Sequence, residues 1–266
     1  MPNAEPNVET LGDSAGTQPT VFKAELKAEI LKSLVYVVST LVDEVKFCTH
    51  EDSVSIKAID PAHIAMIEIL VDKDAFISYE AGESELGLDL DKVKSIIKLA
   101  GPSDVIKLEH DPDQGRLTMT IGNLVRRMSL VETTGMADPR VPQIDVSSSI
   151  RIPVEELQKG IRASESISDH LKLTLSPECF ELSCEGDLDL ASLKVPASDK
   201  VIIETDVAVK SQYPLDFFSN IVKVIPAGTE VQLRFQNDYP VMVFFTLADG
   251  HVHVNYLLAP RIDDTE

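Results

Sequence analysis

The chain has 266 residues, 44% hydrophobic and 26% charged, a composition that supports two domains of ordinary size. Its 44 Asp and Glu outnumber 24 Lys and Arg, and the resulting net charge of −20 excludes a protein that coats nucleic acid with its whole surface. There is no apolar run of about 18 residues, no basic-then-apolar leader and no Cys-x-x-Cys pair among three cysteines, so a cytoplasmic protein without a membrane span or disulfide scaffold is expected.

Residues 1–20 hold three prolines, two glycines, three acids and no aromatic, and are expected to be a disordered extension. Val21 is a candidate alternative start. Ile30, Leu31, Leu34, Val35, Val38, Leu41 and Val42 then recur at helical spacing. Two β-rich stretches follow at 45–60 and 63–71. A second helix is expected from Asp91 to Ala100, stopping at Gly101-Pro102. Alternation over 104–110, 116–122 and 125–132 predicts antiparallel strands. Residues 132–149, with two prolines and no sustained period, read as an extended connector.

The second half runs in the same order. A helix from Pro153 carries Leu157, Gly160, Ile161 and Ser164 on one stripe, with the proline in its first turn. Strands are expected at 170–175, 179–186 and 188–195, a helix from Leu215 to about Val224, and strands at 229–236, 241–248 and 251–259. Leu90-Asp91 followed by Ile96-Ile97-Lys98 recurs, 125 residues on, as Leu215-Asp216 followed by Ile221-Val222-Lys223. Leu31 and Val35 recur 126 residues on as Leu157 and Ile161. Two matches at nearly one offset indicate two copies of one domain, at 21–131 and 150–262, with an acidic tail at 263–266.

Catalytic signatures are missing: there is no Walker A loop, Gly-x-Gly-x-x-Gly, His-Glu-x-x-His or Gly-x-Ser-x-Gly. His251 and His253 would share a strand face but have no third ligand nearby in sequence, and Cys179 and Cys184 read as structural thiols. No cofactor or metal is expected. The helices are more informative. Lys94 and Lys98, Lys159 and Arg162, and Asn220 and Lys223 lie opposite the apolar stripes of three helices, which points to a shared basic surface in an acidic chain.

Four segments carry a resemblance to a known family: FKAELKAEILKSL from Phe22, AIDPAHIAMIEI (58–69), SLVETTGMADPRVP (129–142) and DGHVHVNYLLAPRIDD (249–264). Asp60-Pro61-Ala62-His63 and Leu258-Ala259-Pro260-Arg261 are the specific elements. From Phe22 to about Asp264 the chain resembles the archaeal branch of the proliferating cell nuclear antigen family, the replicative DNA sliding clamps.

The resemblance implies an α+β fold of two similar halves, each of antiparallel sheet and two helices, and a homotrimeric ring joined edge to edge near Arg126–Val131 and Ala191–Val195. Lys32, Lys94, Lys98, Lys159, Arg162 and Lys223 would face duplex DNA in the hole. The chain departs from the family on its first helix, whose inward face reads Glu29, Ser33, Tyr36 and Thr40. The resemblance further implies a pocket for one helical turn of a partner peptide, mapped to Ile59, His63, Ile64, Met66, Val141, Pro142, Pro240, Leu257, Ala259 and Pro260, with carbonyls near Ala259 accepting from the peptide's glutamine. The implied partners are DNA polymerase, clamp loader, flap endonuclease and DNA ligase, and the implied role is processivity without catalysis. The alternatives are a subunit of a heterotrimeric or regulatory clamp, and an acidic metal-dependent hydrolase.

Overall fold

The computed structural model of the chain describes residues 22–136, 138–142 and 144–262. The expected extension over 1–20, Val21 and the tail at 263–266 lie outside the described residues.

Phe22, Ala24 and Leu26 are buried and alternate with Lys23 and Lys27 in solvent, which makes β1 (Phe22–Lys27) a half-buried strand. The sequence reading had missed it, because the period switches from two to 3.6 with no break before α1 (Ala28–Val38). There follow β2 (Glu44–Thr49), β3 (Ser53–Ile59), β4 (Ala65–Asp72), β5 (Ser78–Ala81), β6 (Ser84–Asp89), α2 (Leu90–Ile97), β7 (Val105–Asp111), β8 (Arg116–Ile121) and β9 (Leu124–Ser129). The second half repeats this order: β10 (Ser149–Pro153), α3 (Val154–Ser164), β11 (His170–Leu175), β12 (Cys179–Glu185), β13 (Leu190–Pro196), β14 (Ile202–Glu204), β15 (Val209–Pro214), α4 (Leu215–Val224), β16 (Glu230–Arg234), β17 (Val241–Leu247) and β18 (Val252–Leu258).

Pairing repeats as well as order. β1 lies between β5 and β7 as β10 lies between β14 and β16. β2 lies between β3 and β6 as β11 lies between β12 and β15. β8 lies between β7 and β9 as β17 lies between β16 and β18. One pairing joins the halves: β18 runs antiparallel to β4 from Val252↔Val71 to Leu258↔Ala65. It creates a nine-stranded sheet, β14-β10-β16-β17-β18-β4-β3-β2-β6, flanked by a five-stranded sheet ending in β9 and a four-stranded sheet ending in β13.

The helices pack α1 on α2, α3 on α4 and α1 on α4, and their buried stripes enter one apolar core with the inner sheet faces. Helices α3 and α4 match the expected spans, except that Pro153 is the residue capping α3 and the last of β10. Helix α2 ends three residues early. Leu99 and Ala100 close a tighter turn onto the carbonyls of Ile96 and Ile97, and this turn keeps Ala100 buried. Leu41 and Val42 likewise follow α1 rather than extend it.

Gly87 in β6 shows how the connector is anchored. Val131 N–H donates to its carbonyl at 2.9 Å, and a Cβ at position 87 would stand 2.0 Å from the Val131 carbonyl oxygen. Gly87→Ala must displace backbone, at a cost of about 1–3 kcal/mol. We expect the melting temperature to fall by roughly 3–10 °C, with faster amide exchange at Val131. Wild-type values for both would show that this approach does not hold the connector.

Candidate functional site

Lys98, Lys159, Arg162 and Lys223 are exposed on the solvent side of their helices, and Lys94 is partly covered. Each helix that carries them begins with acids, at Asp91, at Glu155 and Glu156, and at Asp216, as the helix dipole favours. Lys94 pairs with Asp91 at 2.6 Å, Lys159 with Glu156 at 4.0 Å and Lys223 with Glu165 at 2.5 Å. The Lys223 ammonium hydrogen-bonds Glu165 and holds its carboxyl below the usual range. Arg162 donates to the Gln158 carbonyl within its own helix, and Lys98 makes no ion pair among the described residues. Lys32 stands apart: its ammonium donates to the Ala100 carbonyl at 2.6 Å and ties α1 to the end of α2.

The second candidate region lies on the sheet face away from the helices. Ile59, Met66, Leu257 and Met242 stand side by side on β3, β4, β18 and β17, directly paired at each step. Met66, Met242 and Leu257 are buried together with Val146 in an apolar cluster separate from the main core, and Ile59, Val141, Ile144 and Phe244 pack against it. The connector crosses this row, held where Arg234 donates to the Val146 carbonyl at 2.7 Å.

The rim is shaped by Asp60. Its buried carboxylate accepts backbone N–H groups from Ala62 at 2.8 Å, Ile64 at 2.6 Å and Ala65 at 2.5 Å. His63, at φ 59°, occupies the left-handed turn this wrap requires and faces solvent. Ala259 N–H closes the rim by donating to the Ile64 carbonyl at 2.9 Å.

Of the residues mapped from sequence, Ile59, Met66, Val141 and Leu257 therefore converge. Ile64 packs against the main core instead, Pro142 is exposed, and Pro240, Ala259 and Pro260 are half-buried. Sequence reasoning missed Val146, Ile144, Met242 and Phe244. A signal for the last two existed: Val241-Met242-Val243-Phe244-Phe245 is apolar at every position, the mark of a strand covered on both faces.

Both expected edges are edges. β9 has no partner beyond β8, and β13 none beyond β12, among the described residues. Val125 on β9 and Leu190 on β13 are 51% and 66% exposed.

His251 precedes β18 rather than sharing a strand face with His253, which approaches Asp72 at 3.5 Å. Ser55, His50 and Glu83 form a hydroxyl–imidazole–carboxylate line of 3.1 and 2.8 Å that sequence reasoning had not found. Ser55 sits in a strand paired on both sides, so neighbouring N–H groups are engaged in the ladder and none is left for an oxyanion.

Residues 21–136 match the family model for the N-terminal domain of proliferating cell nuclear antigen, and residues 140–261 match that for its C-terminal domain. The chain belongs to the proliferating cell nuclear antigen family. Its relatives include the "DNA polymerase sliding clamp" of Methanococcoides burtonii, 36% identical over 244 residues that cover 91% of this chain and 99% of the relative. That of Natronomonas pharaonis is 31% identical over 245 residues, with the same coverage. Among solved structures, the C-terminal region of FEN-1 bound to A. fulgidus PCNA superposes with a TM-score of 0.85 at 26% identity, over 92% of this chain and 100% of that one. PCNA from Thermococcus kodakaraensis, 20% identical, shares the fold at a TM-score of 0.83, over 90% of this chain and 100% of its own. The PCNA fold thus accounts for the repeated half and the joined sheet, and no described helix is long and apolar enough to cross a membrane.

Proposed function

We propose that three copies of this chain close into a ring that encircles duplex DNA and tethers replication enzymes to it, without catalysis of its own. One observation carries the reading. Within the chain, the last strand of the second half, β18, pairs with the fourth strand of the first, β4; the equivalent strands, β9 and β13, each keep one open edge among the described residues. A second copy repeats the β18–β4 junction by laying its β13 on β9. Such a head-to-tail contact either closes or polymerises. Charge favours it, since β9 carries Arg126 and Arg127 while Asp187 and Asp189 lie in the turn leading into β13.

In the closed ring the helices would line the hole. The ion pairs of Lys159 and Lys223 are exposed and therefore weak, so DNA phosphates can replace their carboxylate partners. Contacts to phosphate alone carry no sequence information, which a sliding ring requires. The apolar row beneath the connector would seat one helical turn of a partner such as a polymerase, flap endonuclease, ligase or clamp loader. The ring would be associated with the nucleoid.

Native mass tests the assembly: about 88 kDa, three times 29.2 kDa, is expected. A ~29 kDa species at every salt concentration would show a heteromeric subunit or a misread edge. The charge-reversed pair Lys98→Glu and Arg162→Glu keeps the trimer mass but is expected to lower processive synthesis about tenfold near 0.1 M salt, where phosphate contacts count. Unchanged processivity would remove these residues from the DNA face.

A further inference from the structure

The outer face of the nine-stranded sheet continues past the row of Ile59, Met66, Leu257 and Met242, and none of the described residues covers the continuation. One step along the strands, Lys57, Glu68, Asn255 and Phe244 stand in register, and one step further come Ser55, Leu70 and His253. Of these, Glu68, Asn255, Phe244, Ser55, Leu70 and His253 line a groove of about 1450 Å³ that also reaches Glu29, Ile30 and Ser33 of α1 and the turns Lys73–Ala75 and Ala248–Gly250 at the far rim of the sheet.

Three features give the groove a chemical character. Leu70 and Ile77 leave 41% and 57% of their surfaces in water, apolar area that the fold does not use. Asp74, Glu230 and Asp249 line it with no ion pair among the described residues, against one such cation, Arg151, while Lys27 is paired with Glu29. The buried amide oxygen of Asn255 has no hydrogen-bond partner among the described residues. Phe244 belongs to both regions, packing against the apolar cluster at one end and lining the groove at the other.

We propose that this groove is a second docking track, occupied by the segment flanking the anchor of the same partner peptide, a basic and apolar stretch laid extended from the connector to the far rim. The proposal rests on the peptide-pocket reading. Continuity through Phe244 places the flank beside the anchor. The apolar strip takes its hydrophobic side chains, and the three unpaired carboxylates, outnumbering the single Arg151, select lysine or arginine. From the Met66 row to the rim turn at Lys73 is seven residues, ~24 Å, so about eight extended residues reach the rim.

The test uses the full chain and three synthetic peptides. The first carries only the glutamine and apolar anchors; the others add eight alternating lysine and leucine residues at one end or the other. One extended peptide is expected to bind roughly tenfold or more tightly than the short one, since a linked second contact adds to the first. Leu70→Asp and the pair Asp74→Lys, Asp249→Lys should each abolish that gain and leave the short peptide unaffected. If the short peptide binds but neither extension gains, or the gain survives both variants, the track is overturned. If the short peptide itself fails to bind, the pocket reading falls and takes the track with it.

Discussion

Asp60→Ala is expected to dismantle the rim of the proposed partner pocket. The Asp60 carboxylate is buried and satisfies three backbone N–H groups of the turn it opens. Hydrogen bonds to a charged group are each worth about 1.5–3 kcal/mol, and an alanine leaves their donors without an acceptor. Part of the turn lies in solvent, where water replaces some of the loss, so a net destabilisation of about 3 kcal/mol and a fall of ~6–12 °C in melting temperature follow. The positive φ at His63 then loses its restraint, and Ile64 no longer presents its carbonyl to Ala259. Binding of a flap-endonuclease C-terminal peptide, read by calorimetry, should weaken at least ~30-fold, the loss a hot-spot group gives. Asp60→Asn keeps the shape but has one acceptor oxygen, and should fall between. Wild-type stability and binding in the alanine variant would show that the carboxylate is not what shapes the rim.

The second large effect is at the floor. Leu257 is buried between Met66 and Met242, and Pro260 stands half-buried just beyond the end of the same strand. Replacing both with alanine removes the apolar wall against which an anchor side chain would lie. Losses of about 2–3 kcal/mol, or roughly 30- to 150-fold in peptide affinity, are expected. The trimer should persist at its native mass, because β9 and β13 lie in the two flanking sheets rather than in the sheet that carries the pocket. Affinity within twofold of wild type would place the peptide elsewhere, and loss of the trimer would show that pocket and joint are coupled.

These two experiments fall on residues that were unequally legible. The Asp60-Pro61-Ala62-His63 element and Leu257 drew notice in the sequence, both through family resemblance. The reason for Asp60 was not legible. A buried carboxylate wrapped by three N–H groups depends on where the chain turns after β3, and spacing alone does not show that. Val146 and Ile144 were illegible for a related reason. They sit in a connector with no period, and their burial comes from the sheet beneath them. The cations were legible as a face, since opposition to an apolar stripe is a local property of a helix. Which of them is engaged was not: Lys32, grouped with the others by the resemblance alone, is tied to the end of α2.

Amphipathic spacing determined four helices and most of the strands, because the 3.6- and two-residue periods are imposed by local backbone geometry. The near-constant offset of 125 or 126 residues determined that the chain is two copies of one unit. Short strands with mixed burial, such as β5 and β14, escaped, since few of their side chains face a core. Tertiary structure alone decided which strands meet. β18 pairs with β4 across more than 180 residues of sequence, and only that pairing aligns Met66, Leu257 and Met242 into a pocket floor. It also leaves β9 and β13 as the unmatched pair. Strand pairing is a long-range hydrogen-bond match whose partner is set by the whole fold, and so the joint and the pocket become visible only once the sheet is assembled.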